Sequence, residues 1–119
     1  MYLKEIYLLS KCVKKVRITD VANAMGVSKA SVNYAVDKLC KKGLVSHKLY
    51  GNIEMTEEGI AKGCEMCEKQ AIIAKYFTAF LSINKKAADI EASRLHYVIS
   101  DITIEKMSEW LNKKGDYGK

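Results

Sequence analysis

Apolar side chains recur three or four positions apart through the N-terminal third of the chain, which is the spacing of amphipathic helices. Three helices are predicted there, at residues 2–12, 21–25 and 29–41. Thr19 and Asp20 are predicted to cap the second helix and Ser28 the third, because their side-chain oxygens accept hydrogen bonds from terminal amides. Gly26 allows the tight turn between them. One face of the third helix is predicted to point inward through Val32, Val36 and Leu39.

After Gly43 the pattern changes to the alternation that is typical of strands. Residues 44–49 and 53–55 predict a hairpin. Thr56 then caps a long helix that extends to about Leu81. An apolar stripe on this helix, wide enough to pack against another helix or a second subunit, comprises Ile60, Cys64, Cys67, Ala71, Ala74, Phe77 and Leu81. The remainder predicts a loop at 82–86 and a helix at about 87–99. A last helix, capped at Ser100 and Asp101, extends through Trp110 and Leu111, and a frayed tail follows at 112–119.

Composition narrows the class of protein. The chain has 119 residues, of which 49% are apolar and 29% charged, and it lacks proline. These proportions are typical of a globular domain, and no apolar run approaches the ~18 residues of a membrane-spanning helix. The first residues lack the pattern of a secretory signal, so we expect a cytoplasmic protein.

Positive charge is concentrated in the N-terminal half. Residues 1–62 carry eleven Lys and Arg against six Asp and Glu, whereas residues 63–119 carry nine against eight. Such a field attracts a polyanion such as DNA. The alternative is that these lysines only keep the protein in solution.

The order of helices, glycine turn and hairpin predicts a mainly α fold: a winged helix-turn-helix DNA-binding domain at residues 1–62, followed by a helical domain at 63–119. The second helix of a helix-turn-helix, which is the third helix of this chain, enters the major groove of duplex DNA. The predicted DNA contacts are polar or cationic side chains of the third helix, its surroundings and the wing: Arg17, Thr19, Ser28, Lys29, Ser31, Asn33, Tyr34, Lys38, Lys48 and Tyr50. For Thr19 the alternative is helix capping, and for Tyr34 it is packing.

Six segments together resemble the diphtheria-toxin-repressor family of iron- and manganese-dependent transcriptional repressors. They are residues 2–9, 16–22, 26–32, 42–45, 55–59 and 91–95. The resemblance implies a homodimer that binds a palindromic DNA operator and dimerises through the helical domain at 63–119. It also implies the short form of the family, without the C-terminal SH3-like domain of longer members.

The resemblance further implies a divalent metal, manganese or iron, held between the first helix and the dimerisation helices. The positions that correspond to the family's ligands are Met1, Lys4, Gln70, Ala74, Ser93, His96 and Tyr97. Lysine, alanine and tyrosine do not replace carboxylate or imidazole ligands at neutral pH. Only His96 and Met1 keep a ligand function, so we expect the family's metal site to be lost or rebuilt.

Cys64 and Cys67 are the candidates for a rebuilt site. Three positions apart on a helix, they lie on one face, where with His96 they would bind a soft or borderline metal ion or act as a redox pair. The alternative is that both pack as small apolar residues, as is expected for Cys12 and Cys40. No βαβ pattern, catalytic triad or phosphate loop accompanies the pair, so we predict that the protein is not an enzyme. Two functions remain beside DNA-binding regulation: a winged-helix protein-interaction module and a cysteine-based sensor.

Overall fold

A computed structural model of the chain describes residues 2–48 and 51–117, with side chains as far as Lys113. It divides into two compact units, Met1–Glu65 and Met66–Lys119. The helices and strands in order are α1 (Tyr2–Cys12), β1 (Val16–Arg17), α2 (Ile18–Met25), α3 (Lys29–Lys41), β2 (Val45–His47), β3 (Asn52–Met55), α4 (Glu57–Leu81), α5 (Lys85–Leu95) and α6 (Asp101–Tyr117). The predicted mainly α fold, with its N-terminal winged helix-turn-helix, is confirmed. No helix in the described part of the chain combines the length and the apolar character needed to cross a membrane.

The core of the first unit lies among α1, α2 and α3. Ile6, Val21, Val32 and Val36 contribute one or two side chains from each helix, and all four are fully buried. Gly26 ends α2 with a φ of 66°, a left-handed conformation that side chains with a Cβ disfavour. The turn that separates α2 from α3 is therefore the one that the sequence predicted.

A three-stranded antiparallel sheet in the order β1-β3-β2 forms the wing. Val16 of β1 pairs with Ile53 of β3, and both side chains are buried. Strand β1 was not predicted from the sequence, because a two-residue strand is too short to produce an alternating pattern. Its strand partner also lies 37 positions away in the sequence, at Ile53.

The start of α2 also differs from the prediction. Thr19 lies within the first turn of α2 and is not its cap, because the helix begins at Ile18 and its N-cap is Arg17. The backbone amide of Arg17 donates a hydrogen bond to Oδ2 of Asp20 at 3.0 Å. Asp20 therefore caps the N-terminus of α2 from within the first turn of the helix.

A hydrogen bond connects the residue before α4 to the turn that follows α3. The hydroxyl of Thr56 donates to the carbonyl oxygen of Gly43 at 2.7 Å and accepts from the amide of Gly59 at 3.0 Å. This confirms the predicted Thr56 cap. Gly59 and Gly63 permit close packing: a Cβ at Gly59 would overlap the carbonyl oxygen of Leu44, and one at Gly63 would lie 2.6 Å from the ring of Tyr7.

The second unit has its own core, contributed by α4, α5 and α6. Its buried residues are Ile73, Ala74, Ala88, Ala92 and Ile104. Of the stripe predicted for α4, Ala74 is buried, Cys64, Cys67 and Phe77 are half-buried, and Ile60, Ala71 and Leu81 are exposed in the single chain. The predicted helix bounds after residue 81 were partly wrong. Helix α5 begins earlier than predicted, after Asn84, whose side chain accepts a hydrogen bond from the amide of Ala87 at 2.9 Å. The helix ends at Leu95. Helix α6 continues to Tyr117, through a segment predicted to fray.

Candidate nucleic-acid interface

The N-terminal half of α3 presents polar side chains on one side and buries apolar ones on the other. Ser28, Lys29, Ser31 and Asn33 are exposed. Val32, between them in sequence, is fully buried. The buried side anchors the helix to the core. The polar side therefore stays exposed, as a helix that enters the major groove of DNA requires.

Two serines fix the geometry of the helix start. Oγ of Ser28 accepts a hydrogen bond from the backbone amide of Ser31 at 3.1 Å and donates one to Oγ of Ser31 at 2.9 Å. Ser28 is thus the predicted N-cap, and its hydroxyl is used by the helix itself. Ser31 keeps its own hydroxyl proton, which can be donated to an acceptor outside the helix.

Tyr34 and Lys38 form a pair on the exposed side of α3. The Tyr34 side chain is 65% exposed, which contradicts the alternative that it packs in the core. Nζ of Lys38 lies 4.4 Å from the centroid of the Tyr34 ring, a cation–π contact between residues i and i+4. Ala30, one helical turn before Tyr34, is also exposed and was not among the predicted contacts. The four-residue spacing of Ala30, Tyr34 and Lys38 was the available sequence signal for this arrangement.

The other predicted DNA contacts lie outside α3. Arg17 is exposed in β1, and Thr19 is exposed in α2. Lys48 follows β2, where its Nζ lies 3.9 Å from Oε2 of Glu54 on the neighbouring strand. Tyr50 lies outside the described residues. The first unit therefore carries the candidate contacts on three separate elements: α3, the α2 segment and the wing.

The residues at the family's metal-ligand positions do not supply the donor set that manganese or iron prefers. Within residues 2–48 and 51–113, no three His, Cys, Asp or Glu side chains are grouped so that they could hold an ion. In the second unit Ala74 is buried and has no donor atom, and Oγ of Ser93 donates to the carbonyl of Ile90 at 2.6 Å. The ring of His96 is buried and contacts the ring of Tyr97, with a centroid distance of 3.8 Å and an angle of 40° between the ring planes.

The cysteines do not form a common cluster. Cys12 is exposed, so its prediction as a core residue was wrong; Cys40, Cys64 and Cys67 are half-buried. All four are thiols. Cys64 and Cys67 share α4, as the sequence predicted, and in the described part of the chain neither belongs to a group of three His, Cys, Asp or Glu side chains that could hold a metal ion.

A groove of about 550 Å³ opens in the second unit. Its walls are largely apolar and are formed by Ala71, Ala74, Lys75, Thr78, Ala79, Lys85, Asp89 and Leu111. Among these lining residues Asp89 alone has a side chain that commonly binds metals. The groove therefore does not supply the several carboxylate or imidazole ligands that a manganese or iron ion prefers.

Two family models together match most of the chain. The model described as the iron dependent repressor N-terminal DNA binding domain matches residues 1–53. The model described as the iron dependent repressor metal binding and dimerisation domain matches residues 56–115.

Several known proteins are similar along nearly the whole chain. An uncharacterized HTH-type transcriptional regulator of Methanocaldococcus jannaschii is 28% identical over 97% of this chain and 93% of its own length. The HTH-type transcriptional regulator MntR of Lysinibacillus sphaericus is 21% identical over 91% of this chain and 77% of its own length. The solved structure of the manganese regulator SloR is 28% identical, with a TM-score of 0.80 over 93% of this chain and 52% of the SloR chain. This chain thus spans about half the length of that solved regulator.

Proposed function

The chain belongs to the iron-dependent repressor family, and from that premise we propose that it is a homodimeric transcriptional repressor that binds a palindromic operator in duplex DNA. The family consists of transcriptional regulators, which are not enzymes. In this proposal residues 1–62 bind DNA and residues 63–119 dimerise. The observation that carries it is the exposed polar side of α3, which is anchored by the fully buried Val32 and Val36.

Salt dependence tests the DNA-binding half of the proposal. The logarithm of affinity for a duplex should fall linearly with the logarithm of salt concentration, by ~0.9 for each phosphate that the protein neutralises. Lys29→Ala should weaken binding to all sequences alike and lower the slope by about 1. Lys106→Ala is the matched control, because Lys106 is an exposed lysine of the second unit, paired with Glu109 at 3.5 Å. Binding that ignores salt would contradict the proposal.

Sequence preference is a separate measurement. Ser31→Ala combined with Asn33→Ala should reduce the preference among duplexes more than it reduces the affinity, because hydroxyl and amide groups contact base edges. If the protein binds no DNA duplex but binds another protein stoichiometrically, the winged helix is a protein-interaction module instead.

Exposed apolar side chains support dimerisation through the second unit. Among the described residues of this unit six large ones are exposed: Phe80, Leu81, Ile90, Tyr97, Val98 and Ile102. Val98 and Ile102 are the most exposed of these, at 77% and 70%. Apolar patches that are exposed on one chain often mark protein–protein interfaces, and in this proposal these side chains form the dimer contact. The double substitution Val98→Glu with Ile102→Glu should lower the mass in solution from twice 13.4 kDa to 13.4 kDa. Val13→Glu, at an exposed position of the first unit, should leave a dimer; a wild-type monomer would contradict this part of the proposal.

We further propose that the family's metal site is lost in this chain, so that operator binding needs neither manganese nor iron. The support is chemical: Lys4 carries a cation, Ala74 has no donor, and Ser93 already donates its hydroxyl to Ile90. Protein purified without an affinity tag should contain no stoichiometric metal by elemental analysis, and its affinity for a selected duplex should not change with a chelator. A gain of tenfold or more on adding Mn²⁺ or Fe²⁺ would refute the proposal. Bound zinc that disappears in Cys64→Ser would instead identify a rebuilt thiolate site.

A further inference from the structure

The exposed side of α3 carries a continuous ladder of three side chains. Ala30, Tyr34 and Lys38 are spaced four residues apart, and residues at this spacing lie above one another on a helix. All three are exposed. A large aromatic side chain that is 65% exposed, on the helix whose opposite side forms the core, makes little contribution to folding.

The lysine limits how the tyrosine ring can move. Nζ of Lys38 lies over one face of the ring at 4.4 Å, where the π electrons attract a cation. This contact favours one arrangement of two flexible side chains before any ligand binds. The free energy lost in ordering the ring on binding is correspondingly smaller.

The chemistry of the ladder indicates what it contacts. Three of the four bases present only hydrogen-bonding groups in the major groove, whereas thymine also presents an apolar 5-methyl group. The Ala30 methyl and the Tyr34 ring are apolar partners of matching character. The ammonium of Lys38 requires an anion, and the DNA backbone offers one beside every base.

We propose that Tyr34 is a specificity-determining residue that contacts the 5-methyl group of a thymine, and that Lys38 is its positioning residue. The inference rests on the proposed DNA-binding function and adds the base group that this helix recognises. Ala30 extends the same apolar surface by one helical turn toward the start of α3.

The test removes one methyl group from the DNA. A preferred duplex is first selected by the full-length wild-type protein from a random-sequence library. Each thymine is then replaced singly by deoxyuridine, which differs only by the missing methyl. Wild type should lose about fourfold in affinity at one thymine of each half-site, the equivalent of one buried methylene group. Tyr34→Ala should bind the thymine and uracil duplexes equally, while Tyr34→Phe, which keeps the ring, should retain the fourfold ratio.

Lys38→Met separates positioning from simple charge. It should lower the thymine-to-uracil ratio as well as the affinity, whereas Lys106→Met should change neither. The Lys38 ε-methylene protons should also show an upfield NMR shift in the free protein that Tyr34→Ala abolishes. This shift reports the ring contact whether or not DNA is bound.

The outcomes distinguish this inference from the function on which it rests. If no duplex is selected at all, the proposed function fails. If a duplex is selected but uracil changes nothing, or if Tyr34→Ala keeps the ratio, the function stands and the thymine contact is wrong. A Tyr34→Phe variant that loses as much affinity as Tyr34→Ala, at duplexes where uracil has no effect, would show a hydrogen bond from the phenol instead. Matching circular dichroism spectra of all the variants would exclude misfolding as the cause.

Discussion

Gly59→Ala tests the packing of α4 against the start of the wing, because two physical effects predict opposite signs for it. Gly59 is the third residue of α4, and within a helix alanine is favoured over glycine by up to about 1 kcal/mol. An added Cβ, however, would overlap the carbonyl oxygen of Leu44 and lie 2.9 Å from its carbonyl carbon. Helix propensity alone therefore predicts stabilisation, and packing predicts the reverse.

The overlap should dominate. Overpacking costs about 1–3 kcal/mol, and the upper end applies when the obstacle is backbone that cannot rotate away. The Leu44 carbonyl oxygen also accepts a hydrogen bond from the amide of Thr56 at 3.1 Å. A shift of this carbonyl would therefore disturb the cap of α4. Subtracting the propensity gain leaves a loss of about 2 kcal/mol in the free energy of unfolding. For a chain of this length that corresponds to a fall of about 8 °C in Tm.

Thermal unfolding followed by circular dichroism at fixed protein concentration measures this change. The matched control is Ala61→Gly, two residues further along the same helix at an exposed position, which should lower Tm by about 4 °C through propensity alone. A Gly59→Ala protein that melts at or above the wild-type temperature would refute the close approach of α4 to Leu44.

Three further stability predictions use the same assay. Val36→Ala should cost about 2 kcal/mol because it leaves a cavity in the first core, whereas a truncation at the exposed Val13 should cost less than about 0.5 kcal/mol. Ser28→Ala should cost about 1 kcal/mol while Ser28→Asn preserves stability, and equal losses would argue against capping. Gly63→Ala should destabilise less than Gly59→Ala does, since its obstacle is the Tyr7 side chain; the reverse order would contradict this account.

Local signals allowed much of the fold to be predicted from the sequence. The ranges of α1 and α4 and the caps at Ser28 and Thr56 agree with prediction. Each depends on residues within about one turn of the helix end, so the sequence contains all the information needed. The hairpin of β2 and β3 was predictable for a similar reason, because its strands are close in sequence.

The errors arose where distant residues decide the structure. Strand β1 exists because Val16 pairs with Ile53, and the exposure of Cys12 depends on which face of α1 the core covers. For the candidate site, the sequence identified the polar residues of α3 but left Tyr34 undecided between packing and binding. Tyr34 is exposed because Val32 and Val36 occupy the buried face of α3. Which face is buried depends on how the helix packs against the rest of the unit.

The proposed contributions of α3 side chains to DNA binding are reported by different measurements. Ser28 uses its hydroxyl within the helix, so its removal should appear in Tm before it appears in affinity. Lys29 is exposed at the start of the helix and should act through phosphate charge, which the salt slope measures. Tyr34 offers an apolar ring and should act through the thymine-to-uracil ratio. If a single substitution changed all three quantities together, these side chains would not act independently, and the separate roles proposed for them would be wrong.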